Sequence, residues 1–160
     1  YRKDLTEEEL LEFIYKVKEA IPNTHVGYVD AYYEFAARPK ITEACDVILA
    51  NCYPYWEGCH IDYSLLYMKD MYNQAKNVAN GKRMIISETG WPSQGTPYGA
   101  AAPGHDEALD YFLNTYLWAE EEKVDIFYFS SFDEAWKVGA EGDVGAYWGL
   151  WDSDGEFKYE

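Results

Sequence analysis

The stretch Asp46-Val47-Ile48-Leu49-Ala50-Asn51-Cys52-Tyr53 decides the fold class, because its apolar residues follow one another without polar alternation. Such a run is typical of a parallel strand that is covered on both faces. Comparable strand segments occupy residues 25–33, 83–88 and 124–131. Since helical segments alternate with these strands, the sequence predicts βαβ units and an α/β fold built on a parallel sheet.

Three helical segments have recognisable boundaries. The first begins at Thr6, where Thr6-Glu7-Glu8-Glu9 has the form of a capping box, and it ends at Pro22. Asp62 is the predicted N-cap of the second helix, which Gly81 closes. The third is predicted over residues 105–122, after a long loop that contains Gly and Pro. The apolar face of the first helix consists of Leu10, Phe13, Ile14, Val17 and Ile21.

The composition limits the partners of the chain. Its 160 residues match about one domain, and no repeat or linker divides them. Thirteen Lys and Arg against 29 Asp and Glu give a formal charge of −16, which repels polyanions and excludes nucleic acid as a partner. No apolar run exceeds four residues, whereas a membrane helix needs about 20, so we expect no membrane contact.

The three cysteines, Cys45, Cys52 and Cys59, predict free or incidentally buried thiols. An odd number of cysteines cannot form a complete set of disulfides. No histidine stands at metal-ligand spacing from them, because the three histidines are scattered along the chain. We therefore expect neither a metal site nor a cofactor.

Polar and aromatic residues, rather than turn formers, follow each of the four predicted strands. In parallel α/β folds the carboxyl ends of the strands form the functional face. A carboxylate held directly after a buried strand is rigid and partly desolvated, which suits a nucleophile or a proton donor. Glu88 and Glu134 are the best-placed candidates, and Asp30 and Tyr32 stand at the end of the first strand.

The aromatic content, 16 Tyr, 7 Phe and 6 Trp, suggests a flat ligand. Exposed rings are unfavourable unless they stack on something flat and apolar, and sugar rings fit that description. Carboxylates in a cleft with aromatic walls are the requirement of glycoside hydrolysis, in which one group donates a proton and the other stabilises or attacks the anomeric carbon. The aromatic residues in or beside the post-strand loops are Tyr53, Tyr55, Trp56, Trp91, Trp136, Tyr147 and Trp148.

Each of these residues also has a purely structural interpretation. Glu88 could cap a helix or pair with a cation, and Glu134 has Lys137 as an obvious partner. Aromatic residues beside prolines could anchor loops by packing on a helix. Asp30 is as readily a polar residue of the sheet interior as a ligand contact.

Three sequence blocks resemble glycoside hydrolase family 17, the β-1,3-glucanases and related glucan-acting enzymes. Ser87-Glu88-Thr89-Gly90-Trp91-Pro92-Ser93 looks like the nucleophile motif of that family. Residues 50–56 resemble its strand-six segment, and residues 129–137 followed by 147–150 resemble its strand-eight segment and closing loop. The blocks run in family order and cover nearly the whole chain.

The resemblance implies a TIM-type (β/α)8 barrel that acts with retention of configuration, with Glu88 as the catalytic nucleophile. Glu134 and Lys137 would hold and polarise the catalytic site, with Glu141 less securely placed beside them. The family's proton donor, a Glu in an Asn-Glu pair after strand four, has no counterpart in the sequence. The residues expected to bind glucosyl units are Asp30, Tyr32, Tyr53, Tyr55, Trp56, Trp91, Trp136 and Trp148.

The four strands match strands five to eight of the family's barrel, so we predict one (β/α)4 half-barrel domain over residues 1–160. This is about half of a fold that takes about 250 residues. Open edges of a parallel sheet are an aggregation hazard unless they are covered. We therefore expect either a homodimer that closes an eight-stranded barrel or a chain that belongs with the N-terminal half of a longer protein.

Three functional hypotheses remain open. The first is a glycosidase acting on β-1,3-linked glucan, the second is an inactive carbohydrate-binding half-barrel, and the third is a glucanosyltransferase in which a sugar hydroxyl replaces water. Without a proton donor, hydrolysis by the chain alone should be very weak. Family members usually act on extracellular or cell-wall glucan, so the resemblance favours that location.

Overall fold

The computed structural model describes residues 4–139 and 141–159, along which helices and strands alternate. The helices are α1 (Glu7–Ala20), α2 (Glu34–Ala37), α3 (Pro39–Ala44), α4 (Ile61–Val78) and α5 (His105–Glu122). The strands are β1 (Gly27–Ala31), β2 (Val47–Asn51), β3 (Arg83–Thr89) and β4 (Asp125–Tyr128). Short 3-10 turns occupy Tyr55–Glu57, Ala135–Lys137 and Asp143–Ala146.

The four strands form one parallel sheet in the order β1-β2-β3-β4. β1 pairs with β2 in parallel, and Val29 lies opposite Leu49. Parallel neighbours need a crossover connection, which the helices between the strands supply. The predicted α/β fold with a parallel sheet is confirmed. α2 and α3 add to it without any periodic signal in the sequence, because they are only 4 and 6 residues long.

The chain divides into two compact units. The first comprises Tyr1–Cys52 and Lys69–Ser87, and the second comprises Tyr53–Met68 and Glu88–Glu160. The prediction of a single domain over residues 1–160 stays a prediction. Large buried side chains of the first unit are Phe35, Ile41, Ile48, Met71 and Ile86, and those of the second are Tyr55, Met68, Trp91 and Tyr111.

Two helix N-termini had clear predictions, and one of them is confirmed. In the capping box of α1, the Thr6 hydroxyl accepts from the Glu9 amide and the Glu9 carboxylate accepts from the Thr6 amide. The predicted N-cap of α4 is wrong, because the helix begins at Ile61 and Asp62 lies inside its first turn. The ring of His60 accepts the Asp62 N–H instead, at 3.3 Å.

The helix predicted over residues 105–122 is confirmed, because α5 spans His105–Glu122. Several other element ends differ from the prediction by a few residues. α4 ends at Val78, and the following turn uses left-handed backbone at Asn80 (φ 52°) and Gly81 (φ 78°). β4 ends at Tyr128, earlier than predicted. β3 extends to Thr89, so Glu88 lies within the strand rather than directly after it.

The two faces of the sheet differ in burial, which corrects the prediction that both faces are covered. In the first unit, Ile48 and Ala50 of β2 are buried, whereas Leu49 between them is only partly buried. Val29, which lies opposite Leu49, is exposed. Among the described residues, helices therefore cover one face of these strands and leave the other partly open.

The same asymmetry appears in β4 of the second unit. Tyr128 packs edge-on against Phe112 of α5, with 4.9 Å between the ring centroids. The neighbouring Phe127 points to the other face of the strand, since successive side chains alternate, and it is 66% exposed. An apolar ring this exposed in a parallel strand marks a surface that a further element would cover.

Candidate functional site

Glu88 lies near the carboxyl end of β3 and is held by a tyrosine of the same unit. The Tyr53 hydroxyl donates a hydrogen bond to Glu88 Oε2 at 3.0 Å. Burial raises the pKa of Tyr53 well above its usual value of 10, and the negative charge of Glu88 raises it further. The phenol therefore stays protonated and serves as a permanent donor to the carboxylate.

A glycine allows the end of β3 to approach the end of β4 closely. The Phe129 amide donates to the Thr89 carbonyl at 2.8 Å, which joins the two segments directly after Glu88. A Cβ at Gly90 would collide with the carbonyl oxygen of Phe129 and would lie 3.3 Å from a ring atom of Trp148. Gly90 thus sets the distance between the strand that carries Glu88 and the segment that carries Phe129.

Lys137 forms an ion pair and a cation–π contact on the same side of the site. Its Nζ lies 2.6 Å from Glu134 Oε2, and the two side chains are 15% and 30% exposed. The same Nζ lies 4.0 Å from the centroid of the Phe129 ring. The pairing of Glu134 with Lys137, which the sequence allowed as a structural alternative, is therefore present. The two contacts hold Lys137 and Glu134 in a fixed geometry. A role in supporting the catalytic site, which the family resemblance implies, would need the same fixed geometry.

Glu141 shares the electrostatic environment of these groups. Burial is the main cause that raises its pKa above the usual value; Lys137 acts to lower the pKa, the negative charges of Glu134 and Glu88 act to raise it, and the net shift is upward. The second unit therefore collects three carboxyl groups and one ammonium group near the end of β3. A cluster of charged groups at the end of a parallel strand is typical of a catalytic site.

Three of the aromatic residues expected to bind sugar are buried. Tyr55, Trp91 and Trp148 are 0%, 1% and 3% exposed, and the Tyr55 ring packs edge-on against both tryptophans at 5.3 and 5.5 Å. Rings with so little exposure cannot stack on a ligand in this arrangement. These three residues form the aromatic core of the second unit, and their role in binding sugar stays a prediction. The indole N–H of Trp148 has no hydrogen-bond partner among the described residues.

Two other predicted sugar-binding rings are open to solvent. Trp136 is 77% exposed, and its ring lies 5.3 Å from Lys137 Nζ. Trp56 is 36% exposed and packs against Trp148 with 5.7 Å between the ring centroids. Both rings can therefore offer a face to a ligand, as the sequence interpretation requires.

Asp30 and Tyr32 belong to the first unit. Asp30 is buried and accepts hydrogen bonds from the Tyr28 hydroxyl and the Ala31 amide. Burial acts to raise the pKa of Asp30, but these hydrogen bonds outweigh it and the pKa is lowered. Tyr32 packs edge-on against Tyr33 with 5.2 Å between the ring centroids. Their role in binding substrate stays a prediction.

Two residues of the second unit escaped the sequence interpretation. Phe129 ends an apolar strand segment, where an aromatic residue resembles ordinary core, yet its ring contacts Lys137. Tyr98 stands in the Pro97-Tyr98-Gly99 loop with no neighbouring pattern, yet its ring packs against Trp56 at 5.9 Å. The resemblance of residues 87–93 stopped short of Tyr98, and only the spatial arrangement relates it to the site.

Three further observations concern the cysteines, metal ligands and membrane-spanning helices of the described residues. Cys45, Cys52 and Cys59 are free cysteines, as predicted. Within residues 4–139 and 141–159, no cluster of three or more His, Cys, Asp or Glu is arranged to hold a metal ion. No helix in the described part of the chain is both long and apolar enough to cross a bilayer.

The chain is similar to known proteins along nearly its whole length. The family model of the BtgE/BtgC glycoside hydrolase domain matches residues 1–149. The chain belongs to this glycoside hydrolase family, within family 17. The resemblance of the three sequence blocks is thereby confirmed.

Two similar proteins are named as glucan 1,3-beta-glucosidases of fungi. The chain is 31% identical to a glucan 1,3-beta-glucosidase of Arthroderma benhamiae, over 99% of this chain and 57% of that protein. It is 30% identical to glucan 1,3-beta-glucosidase BGL2 of Candida albicans, over 99% and 58% of the two chains. The chain thus spans little more than half the length of these curated relatives.

A solved structure supports the same relationship. The family 17 beta-1,3-glucanosyltransferase of Rhizomucor miehei superposes with a TM-score of 0.91 at 31% identity, covering 98% of this chain and 57% of that one. A plant beta-glucan endohydrolase at 22% identity and a TM-score of 0.58 shares the fold, with 79% of this chain and 52% of that chain covered.

Proposed function

We propose that the chain is the part of a β-1,3-glucan hydrolase that carries the nucleophile, and that Glu88 is this nucleophile. The observation that supports the proposal most directly is the Tyr53–Glu88 hydrogen bond of 3.0 Å, which orients a partly buried carboxylate at the end of a parallel strand. The names of the fungal relatives supply the substrate class, β-1,3-linked glucan. Neither observation depends on the other.

The proposed reaction is a double displacement. A Glu88 oxygen bonds to the anomeric carbon while the glycosidic C–O bond breaks, and the leaving oxygen takes a proton from a general acid. Water then attacks the anomeric carbon, loses its proton to the same group, and releases Glu88. During both steps Tyr53 fixes the carboxylate, and Glu134 holds the Lys137 ammonium in place beside the site.

The general acid of this mechanism has to come from outside residues 1–160. In a retaining glycosidase the two carboxyl groups stand roughly 5–5.5 Å apart. The Asn-Glu pair that supplies this acid in the family is missing from the sequence. We therefore propose that the chain is a half-barrel, equivalent to strands five to eight, which a second half completes.

When the protein is isolated by itself, a second copy of the chain is the proposed second half. This copy would complete the barrel but, having the same sequence, would not supply the Asn-Glu acid. The partly open sheet face at Val29 and Leu49 in the first unit, and at Phe127 in the second, supports this proposal. Pairing of two open faces removes apolar area from water, at about 25 cal/mol per Å². A longer protein whose N-terminal half supplies the other four strands is the alternative.

Covalent trapping tests the role of Glu88 without requiring the general acid. A 2-deoxy-2-fluoro-β-laminaribiosyl fluoride loses fluoride, which needs no proton, and the fluorine slows release of the glycosyl-enzyme. We expect intact-mass spectrometry to find one added disaccharide on the wild type, located on Glu88 by peptide mapping. Glu88→Gln should add none.

Glu121→Gln is the matched control, because Glu121 is exposed at the end of α5 and should label as the wild type does. Hydrolysis of laminarin by the wild type and by Glu88→Gln provides the second measurement. Labelling of Glu88→Gln, or measurable laminarin hydrolysis at equal rates by the two proteins, would remove Glu88 from the mechanism.

A glucanosyltransferase is the second candidate, favoured by the similarity to the Rhizomucor miehei enzyme. It shares the first step, and a glucan hydroxyl replaces water in the second. Product analysis at high oligosaccharide concentration separates the two, since transfer gives chains longer than the substrate. Binding of oligosaccharide without any product or covalent label would select the third hypothesis, an inactive carbohydrate-binding half-barrel.

A further inference from the structure

We propose that Trp56 and Tyr98 together form a binding subsite for a glucosyl unit remote from the reacting bond. The proposal rests on the proposed function, because it takes the ligand to be β-1,3-glucan. Tyr98 lies outside every motif that relates the chain to its family, and its place beside Trp56 comes from the three-dimensional arrangement of the second unit.

The two rings form an exposed aromatic corner. Trp56 is 36% exposed and Tyr98 is 52% exposed, and their centroids are 5.9 Å apart with an angle of 73° between the planes. Each ring thus keeps part of its surface open to solvent. The apolar face of a glucosyl ring can stack on one of them while its hydroxyls contact the other, and the Tyr98 hydroxyl adds a hydrogen-bonding group.

The loop that carries Tyr98 is fixed by main-chain hydrogen bonds. The Tyr98 amide donates to the Ala101 carbonyl at 2.9 Å, and the Ala101 amide donates back at 3.0 Å. The Ala100 amide donates to the Gly58 carbonyl at 3.0 Å, which ties this loop to the turn after Trp56. Gly99 has a φ of 61°, and a Cβ there would lie 3.1 Å from the Gly58 Cα.

Side chains fix the start of the same loop. The Tyr55 hydroxyl donates to the Thr96 carbonyl at 3.1 Å. The carboxylate of Asp143 accepts from the Thr96 amide at 3.0 Å and from the Thr96 hydroxyl at 2.8 Å. An exposed ring on an immobilised loop loses little conformational entropy when a ligand binds, which is the property of a preorganised binding surface.

A series of ring contacts and one hydrogen bond links the corner to the proposed nucleophile. The Trp56 ring packs on Trp148 at 5.7 Å, and Trp148 packs on Tyr53 at 5.5 Å. Tyr53 then donates its hydrogen bond to Glu88. In this proposal, a glucan chain whose reacting unit lies at Glu88 places a more distant unit on Trp56 and Tyr98, so the corner should contribute only to longer oligosaccharides.

Binding of laminari-oligosaccharides of increasing length tests the proposal. Calorimetry on the full chain should give affinity that rises with length from three to six units. Tyr98→Ala should weaken binding of the longest ligand by about tenfold, the value of one aromatic contact, and leave the shortest unchanged. Its main-chain hydrogen bonds do not depend on the ring, so the loop should keep its shape.

Two further variants make the result specific. Tyr98→Trp keeps an aromatic surface and should retain binding of the longest ligand. Tyr63→Ala removes a tyrosine that is 64% exposed on α4 and should bind every ligand as the wild type does.

The outcomes separate this proposal from the proposed function. If Tyr98→Ala binds every length as the wild type does, or weakens all lengths equally, the subsite is overturned, whereas covalent labelling of Glu88 would still support the nucleophile. A wild type that binds no oligosaccharide also overturns the subsite. If Tyr98→Ala shows the length-dependent loss but Glu88 takes no label, the subsite stands and the hydrolase mechanism fails.

Discussion

Glu141 illustrates how the carboxyl groups of the site influence one another. Burial and the charges of Glu134 and Glu88 hold its pKa above the usual 4.5, despite the nearby Lys137. The folded protein therefore binds the Glu141 proton more tightly than the unfolded chain does. As pH rises above the usual 4.5 and through this raised pKa, the group ionises in the folded state at a cost to stability, and the cost is complete once the pH exceeds the raised pKa.

Glu141→Gln should consequently stabilise the protein at neutral pH. Glutamine stays neutral at every pH, so we expect a small rise in Tm at pH 7.5 that disappears below pH 4.5, where Glu141 is protonated in both states. Thermal denaturation at the two pH values measures the difference. Glu121→Gln, at the exposed end of α5, should change neither value, and equal Tm for wild type and Glu141→Gln at pH 7.5 would contradict the argument.

The sequence predicted individual residues unevenly. Glu88 and the Glu134–Lys137 pair could be predicted, because a strand pattern and a three-residue spacing are local features of the sequence. The burial of Trp91 and Trp148 was not, because an aromatic residue in a loop can face either the solvent or the core. Only long-range packing decides between the two, and neither periodicity nor spacing carries that information.

Among the structural elements, the junction of β3 with the segment after β4 is the most sensitive to a change in volume. Phe129 and Thr89 share a main-chain hydrogen bond of 2.8 Å, and the Phe129 carbonyl lies against Gly90. The obstacle at Gly90 is backbone, which cannot turn aside as a flexible side chain does. An added methyl group must therefore displace a strand end.

Gly90→Ala should destabilise the protein by about 1–3 kcal/mol, the usual cost of overpacking. Urea denaturation measures the change. Gly104→Ser is the matched control: its backbone is extended and its Cβ would meet only the movable carboxylate of Glu107. Because serine is also a good N-cap, this variant should lose no stability. A smaller loss for Gly90→Ala than for Gly104→Ser would show that the junction is not tight.

Helix ends show which elements the sequence can predict. The capping box at Thr6 is a reciprocal pattern of two side chains within four residues, and it is present as predicted. Asp62 is an equally favourable N-cap residue type, but the helix begins earlier, at Ile61. The ring of His60 accepts a hydrogen bond from the Asp62 N–H. A single residue type leaves such competition open, whereas a two-residue pattern specifies both its donor and its acceptor.

At the scale of the whole molecule, the partly open faces of the strands are the feature that the strand sequences do not predict. Val47 to Ala50 is apolar throughout, which indicates burial on both faces, yet Leu49 is only partly buried. The sequence therefore encodes a more completely covered sheet than residues 4–139 and 141–159 provide. The α/β class was predictable from strand and helix order, but the means of covering this face was not.

Light scattering coupled to size exclusion tests self-closure directly. We expect the wild type at micromolar concentration to have twice the 18.5 kDa mass of one chain. Phe127→Lys places a charge on the open face of β4 and should give the monomer mass. Tyr63→Lys, which changes an exposed position on α4, should stay dimeric. A monodisperse wild-type monomer would contradict closure by a second copy.

The partly buried Tyr53 limits how the protonation of the site can change at high pH. Because burial and the Glu88 charge push its pKa well above 10, no phenolate forms beside Glu88 in ordinary buffers. The hydrogen bond between them should persist through mildly basic conditions. If catalysis declines at alkaline pH, the decline therefore reports the deprotonation of a group other than Tyr53. The general acid of the completed enzyme is such a group, because it must be protonated to act.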